Sequence, residues 1–363
     1  MGYTNQADFD HGRLLKTGVL ITNLGTPEAP TAKALRPWLR EFLSDPRVVE
    51  IPRLPWWLIL NGIVLLTRPA RSAKAYRSIW MEQGSPLAVH TRHQFEALQR
   101  QLHGRHGEQV ALQYAFRHGR PSITQGIQAL VDAGAGRLLL LPLYPQYSAS
   151  TGGSSFDALA ADLRKRRHVP DVRVITHYHD HPGYIESLAE SIRSHQRQHG
   201  VPEKLVMSFH GLPRRNLEQG DPYYCECRKT ARLLAEHLGL QPDQYVVAFQ
   251  SRFGAAQWLQ PYTSTTLREL AEGGSRFVQV VCPGFSVDCL ETLEEIAIAG
   301  RRQFLDAGGE VFQYIPALNA ADAHISFLAD LVTENLQGWL QQQQQPEEQA
   351  TRQQRARDQG ARR

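Results

Sequence analysis

Two kinds of hydrophobic pattern alternate along this chain. Short continuous apolar runs, such as Gly18 to Leu24, Leu138 to Leu141, Leu205 to His210 and Phe277 to Val281, each give way to a loop containing proline or glycine. Between them lie stretches with apolar residues at three- and four-residue steps, for example Arg92 to Leu102, Thr230 to Leu238 and Leu293 to Leu305. A strand that is apolar at every position is buried on both faces, and amphipathic helices are what cover it. The pattern predicts an α/β protein built from parallel, doubly wound sheets.

The strand-to-loop junctions also repeat in order. Leu24-Gly25-Thr26-Pro27 corresponds to His210-Gly211-Leu212-Pro213, Phe116-Arg117-His118-Gly119 to Ser251-Arg252-Phe253-Gly254, and Pro145-Gln146-Tyr147-Ser148 to Pro283-Gly284-Phe285-Ser286. Three matched junctions in sequence predict two similar Rossmann-like domains, 14–165 and 166–320, followed by a helix over 321–340 that packs back on them. The glutamine-rich, mixed-charge end at 341–363 has too few apolar residues for a core and is expected to be disordered. Ligands of open α/β sheets bind beyond the carboxyl ends of the strands, so all six junctions are expected to face one cleft.

The first half carries a longer stretch between its first two junctions, and that excess contains the most apolar segment of the chain, 51–66. Its run from Leu54 through Trp56, Trp57, Ile59, Asn61 and Gly62 to Leu66 is shorter than the roughly 18 residues a membrane span requires. It reads as an apolar lip over the cleft, with peripheral membrane contact through 54–66, since Arg68, Arg71 and Lys74 follow it. The polar N-terminus has no signal-peptide core, so a cytoplasmic location is expected. A net charge of +4 gives no reason to expect nucleic acid. The four cysteines, Cys225, Cys227, Cys282 and Cys289, lack the usual zinc spacing and are expected to be reduced thiols.

His210 closes a strand with an imidazole that can bind a borderline metal or accept protons near neutral pH. Asp288, Glu291 and Glu295 follow the matching junction of the last apolar strand at i, i+3 and i+7, one face of a helix. A helix dipole accounts for an early acid, but not for Glu295, so a line of carboxylates carrying protons or metal away from the cleft is the rival reading. The hydroxyl-rich loop Tyr144 to Ser155 could cap a helix or capture a carboxylate or phosphate at its N-terminus. With no Walker lysine, G-x-G-x-x-G or G-x-S-x-G, no nucleotide and no serine nucleophile are expected.

Taken together, Asn23-Leu24-Gly25-Thr26-Pro27, Tyr144-Pro145-Gln146-Tyr147-Ser148, Ser208-Phe209-His210-Gly211-Leu212-Pro213, Gly220-Asp221-Pro222-Tyr223, Gln250-Ser251-Arg252-Phe253-Gly254 and Asp288-Cys289-Leu290-Glu291-Thr292-Leu293 closely resemble the bacterial ferrochelatases. The resemblance runs from about Gly18 to about Leu340. It implies a lyase that inserts Fe²⁺, a substrate, into protoporphyrin IX at the last step of haem synthesis, releasing two protons. It implies that His210 and Glu291 bind the metal and act in catalysis; Asp288 and Glu295, from the line of carboxylates, are the expected proton or metal conduit. Given such a substrate, propionates favour basic or hydroxyl partners, which nominates Arg77, Arg117, Ser148 and Thr151 at the rim, with Leu24, Tyr147, Trp258 and Phe285 as further porphyrin contacts. Leu24 stands where relatives acting on coproporphyrin tend to have Tyr, which favours protoporphyrin, and Cys289 stands where many relatives have His. No Cys follows Cys289, so no iron–sulfur cluster is expected. The alternatives are a chelatase for coproporphyrin or another metal, and a porphyrin or haem carrier without catalysis.

Overall fold

The computed structural model describes residues 3, 15–254, 256–340 and 346–361. Expectations for the other N-terminal residues and for 341–345 fall outside it. Among the described residues, eight strands form two four-stranded sheets of the same topology. The first has the order β2-β1-β3-β4, made of β1 (Lys16–Asn23), β2 (Val110–Phe116), β3 (Ala135–Pro142) and β4 (Asp171–Val174). The second has the order β6-β5-β7-β8, made of β5 (Lys204–His210), β6 (Tyr245–Gln250), β7 (Phe277–Val281) and β8 (Val311–Tyr314). Every pairing is parallel.

In the first half, α1 (Ala32–Leu43), α2 (Arg53–Ile59), a π-helical segment Leu60–Val64, α3 (Leu65–Ile79) and α4 (Pro86–His106) lie between β1 and β2. Then come α5 (Ile123–Asp132) before β3, α6 (Ser154–Leu163) before β4 and α7 (Pro182–His199) after it. The second half has α8 (Arg214–Glu218) and α9 (Tyr223–Leu238) before β6, α10 (Thr263–Glu272) before β7, a π-helix Glu291–Gly300 running into α11 (Arg301–Asp306) before β8, and finally α12 (Asp322–Asn335).

The two halves are less separate than the repeat suggests. Alternation along β1 points Val19 and Ile21 to one side and Leu20 to the other. Val19 and Ile21 join Met207 and Phe209 of β5 in one core that spans both sheets. The helices inside this core are exchanged: α7 of the first half packs on α9 of the second, and α12 of the second packs on α4 of the first. The outer faces have separate cores, around Leu20, Leu138 and Leu140 in the first sheet and Val206, Val278 and Val280 in the second.

Two boundaries differ from the sequence expectation. The first sheet extends past residue 165, because Asp171–Val174 pairs with Arg137–Leu140. A four-residue strand with alternating polar side chains at the sheet edge leaves no continuous apolar run to read. The expected disordered tail instead contains α13 (Pro346–Asp358). Its Glu, Gln, Ala and Arg residues form helix well, and Gln354 donates to Asp358 one turn on.

The lip is a helical run interrupted by the π-helical segment, where Asn61 Nδ2 donates to the Trp57 carbonyl. Its adjacent tryptophans divide the work. Trp56 is anchored, its indole donating to the Leu43 carbonyl at 2.6 Å, whereas Trp57 is exposed. Leu60 and Leu65 pack on Leu35, Leu39 and Leu43 of α1. Leu54, Trp57, Leu58, Ile63 and Leu66 stay between 58% and 72% exposed. Among the described residues no helix is long and apolar enough to cross a membrane.

Candidate active site

His210 is the last paired residue of β5, opposite Gln250 of β6. Leu205 to Phe209 ahead of it are buried, so strand pairing fixes the backbone that carries the imidazole. The chain turns at once at Gly211, whose N–H donates to the Gln250 carbonyl at 2.8 Å. A Cβ at Gly211 would stand 2.7 Å from that carbonyl oxygen, so only glycine permits the turn. Nδ1 of His210 lies 2.6 Å from the Gly211 carbonyl oxygen. A carbonyl oxygen can only accept, so Nδ1 carries a proton in this contact, and in the neutral imidazole the lone pair lies on Nε2.

Glu291 and Glu295 lie on the π-helix Glu291–Gly300. Its start is tied to β6 by Gln250, which donates to the Glu291 carbonyl at 2.7 Å. Glu295 accepts from the Ser251 N–H and the Ser251 hydroxyl, each at 2.6 Å. These bonds hold Ser251 at φ 67°, a left-handed conformation that side-chain-bearing residues seldom adopt. Burial pushes the Glu295 carboxyl above its ordinary value. The Ser251 bonds and nearby His210 draw it down, while the Glu291 charge pushes it further up. Glu295 thus feels both proposed ligands and is set to hold a proton at a higher pH than an ordinary glutamate.

Asp288 does not continue this line. It lies in the loop before the helix, where the Tyr314 hydroxyl at 2.6 Å, Asn319 Nδ2 at 2.7 Å, the Thr292 hydroxyl at 3.0 Å and the Ala317 N–H at 3.3 Å donate to it. The expected i, i+3, i+7 face fails there because the helix begins three residues later. Asp288 organises the loop that delivers Glu291.

Helix α3 lies against the π-helix, and its Arg68 and Tyr76 feel the Glu291 charge. Burial lowers the pKa of Arg68, against the attraction of Glu291, and its guanidinium stands over the Phe253 ring at 5.1 Å. Tyr76 is buried, and its hydroxyl is raised by burial first and by the Glu291 charge second. Sequence reasoning noted Arg68 only as a basic residue after the lip and missed Tyr76. Ser251 and Gln250 were visible only as members of a repeated junction.

Leu24 and Phe285 meet in one apolar cluster with Leu87, Phe116, Val287 and Cys289, although they come from opposite halves. The Phe285 ring centroid is 6.4 Å from that of His210. Trp258 is buried, 5.0 Å from the Phe253 ring, and backs the turn at Gly211 instead of opening into the cleft. All four cysteines are free, and burial raises the thiols of Cys282 and Cys289.

Most of the polar residues expected at the rim are already engaged. Arg117 donates to Asp45 at 2.6 Å and to the Ser154 hydroxyl at 2.7 Å. The Ser148 hydroxyl donates to Asp221 at 3.1 Å, and the Ala149 N–H donates to the same oxygen at 2.8 Å. The carboxylate expected at the hydroxyl-rich loop is therefore one of the chain's own, arriving from the second half. Thr151 donates to the Ser148 carbonyl. Tyr147 remains half-buried, its N–H donating to Glu226 at 2.7 Å, and Arg77 is exposed.

Comparison with known proteins adds identity to this geometry. A family model described as Ferrochelatase matches residues 16–336. A ferrochelatase of Chromobacterium violaceum is 56% identical over 93% of this chain and 93% of its own length. That of Teredinibacter turnerae is 54% identical over 98% of this chain and 97% of its own. Among solved structures, SirB from Bacillus subtilis with Fe³⁺ aligns with a TM-score of 0.50 and 13% identity, covering 90% of this chain and 99% of that one, a likeness of fold alone.

Proposed function

The chain belongs to the ferrochelatase family and is a lyase of haem synthesis that inserts ferrous iron into a porphyrin; on that premise we propose protoporphyrin IX as its porphyrin and His210 as the base that takes the ring protons. The observation that carries the catalytic reading is the placement of His210, with a free Nε2, within the electrostatic reach of Glu295, which in turn feels Glu291. Insertion expels two protons, so a base must meet the ring and a second group must take the charge onward. Glu295 suits that second role, because burial raises its carboxyl so that it accepts a proton at a higher pH than an ordinary glutamate. Beyond it lies a cavity of about 320 Å³, lined by Ser251, Arg252, Thr263, Glu295 and Gln303, which offers an outlet away from the ring.

Among the described residues, His210, Glu291 and Glu295 do not gather into a compact three-ligand cluster. That is the arrangement a passing metal needs: two loose ligands release iron to four pyrrole nitrogens, whereas a closed cage would keep it. A porphyrin held bent exposes its nitrogen lone pairs, at a strain of roughly 1–5 kcal/mol drawn from contacts to the ring edge. Leu24, Phe285 and the lip supply apolar contacts of that kind. They suit vinyl-bearing edges, whereas coproporphyrin would bring two further carboxylates against them. Anaerobic incubation with Fe²⁺ should metallate protoporphyrin faster than coproporphyrin, as followed by the loss of the free-porphyrin spectrum. A faster reaction with coproporphyrin would sink the substrate reading, and binding without conversion of either ring would make the chain a carrier.

The lip supports peripheral membrane contact of a cytoplasmic enzyme. Each of its exposed large side chains would gain roughly 1.5–3 kcal/mol on full burial, and Arg71 and Lys74 stand ready for anionic headgroups. Replacing Leu58 and Ile63 together by Asp, both exposed and outside the lip's own core, should abolish co-flotation with anionic vesicles while leaving the melting temperature unchanged. Equal flotation of the variant and the parent would refute the contact.

A further inference from the structure

Away from the His210 cleft, two imidazoles and a carboxylate converge where the loop after β4 crosses α9. His177 and His179 are two residues apart on that loop, and Glu226 faces them from the first turn of α9. Their ligand atoms all lie within 4.8 Å of one another. Nδ1 of His179 is 3.3 Å from Oε2 of Glu226, and Nδ1 of His177 is 3.9 Å from Oε1. Tetrahedral coordination with bonds of about 2.0–2.1 Å places ligand atoms roughly 3.3 Å apart. One of the three pairs is already at that spacing, and His177, the exposed member, belongs to both of the others, so a rotation of its side chain can close them.

A second observation points the same way. His179 is buried, yet its Nδ1 has no hydrogen-bond partner, although the Glu226 carboxyl is close by. A buried nitrogen left unpaired beside an acceptor is unfavourable by itself. A cation between the two converts that arrangement into a pair of bonds. The surroundings are built to hold these groups in place. The Tyr147 N–H fixes Glu226 Oε2 at 2.7 Å, and Thr230 donates to the His179 carbonyl at 2.9 Å. Gln146 in turn donates to Thr230 at 2.9 Å. The Asp180 carboxylate, which accepts from Lys229 at 2.6 Å, stands 3.9 Å from Nε2 of His179, beyond hydrogen-bond reach but on the side from which an outer carboxylate orients a metal-binding imidazole.

We infer that His177, His179 and Glu226 form a second divalent-metal site, separate from the iron-insertion cleft, that fastens the loop after β4 to α9. Two imidazole nitrogens and one carboxylate favour a borderline ion such as Zn²⁺ or Co²⁺ over Mg²⁺ or Ca²⁺, with water completing the shell. The loop belongs to the first half and α9 to the second, so an ion here staples the halves together. Through Glu226 it also steadies the backbone of Tyr147 at the cleft rim.

The test uses the full chain, freed of metal, in a His210→Ala/Glu291→Gln background that removes the cleft ligands. Anaerobic titration with Co²⁺ should bind one equivalent, give the visible absorption of tetrahedral cobalt and raise the melting temperature, and Zn²⁺ should displace it. Adding His177→Ala, an exposed substitution that spares the fold, should weaken Co²⁺ binding at least about tenfold, the lower bound expected even for outer-shell changes. Glu226→Gln should weaken it further. If the cleft substitutions prevented folding, His177→Ala in the otherwise unaltered chain should still remove one of the bound equivalents. Absence of Co²⁺ binding in the folded background, or binding that His177→Ala leaves unchanged in either background, would overturn the inference.

Discussion

Replacing His210 by alanine should slow iron insertion by roughly 10²–10⁴-fold, the usual range for losing a positioned acid–base group, while leaving porphyrin binding largely intact. The split follows from where the side chain sits. His210 adds little to the core, since it is the half-buried last residue of a strand whose preceding five residues are buried. Its Nδ1 is spent on the Gly211 carbonyl, so Nε2 is the nitrogen free to meet the ring. The apolar contacts proposed for Leu24, Phe285 and the lip would survive the substitution, and with them affinity. Porphyrin fluorescence titration alongside single-turnover insertion separates the two effects. A wild-type insertion rate in the alanine variant would refute the base assignment, and equal losses in binding and rate would recast His210 as a porphyrin contact.

Asp288→Ala should instead act on stability, lowering it by about 3–5 kcal/mol. Four donors converge on this buried carboxyl, and each one left unsatisfied costs roughly 1–3 kcal/mol, with partial relaxation reducing the total. Urea unfolding should show a midpoint shifted downward at similar slope. The fraction that remains folded at low temperature should insert iron within a few-fold of the parent rate, because Gln250 still holds the start of the π-helix through the Glu291 carbonyl. An unchanged midpoint with abolished insertion would restore Asp288 to the conduit and remove the structural account.

The parts of this molecule that could be read beforehand are those written into local pattern. Gly18 to Leu24 and Leu205 to His210 are apolar at every position because both faces of each strand are covered, and the matching turns betray the duplicated topology. His210 was conspicuous as a titratable group closing such a strand. The lip was visible as an apolar segment too short to span a bilayer. Strand β4 was not legible, since Asp171–Val174 is short, edge-placed and half-polar. Arg117, Ser148 and Thr151 look available in the sequence, but Arg117 meets Asp45 and Ser148 meets Asp221, partners 72 and 73 positions away.

By itself, then, the sequence determined the strands, the repeat, the histidine and the carboxylates, because periodicity, strand-end position and side-chain chemistry are properties of near neighbours. Only the tertiary structure decided which of those groups are free to act. It gave Asp288 to an anchor and Glu295 to the neighbourhood of His210, wove α7 and α12 into each other's halves, and brought His177 and His179 against Glu226. Those outcomes depend on which distant donors and charges reach a group, and on how much water is excluded around it. No run of adjacent residues encodes either.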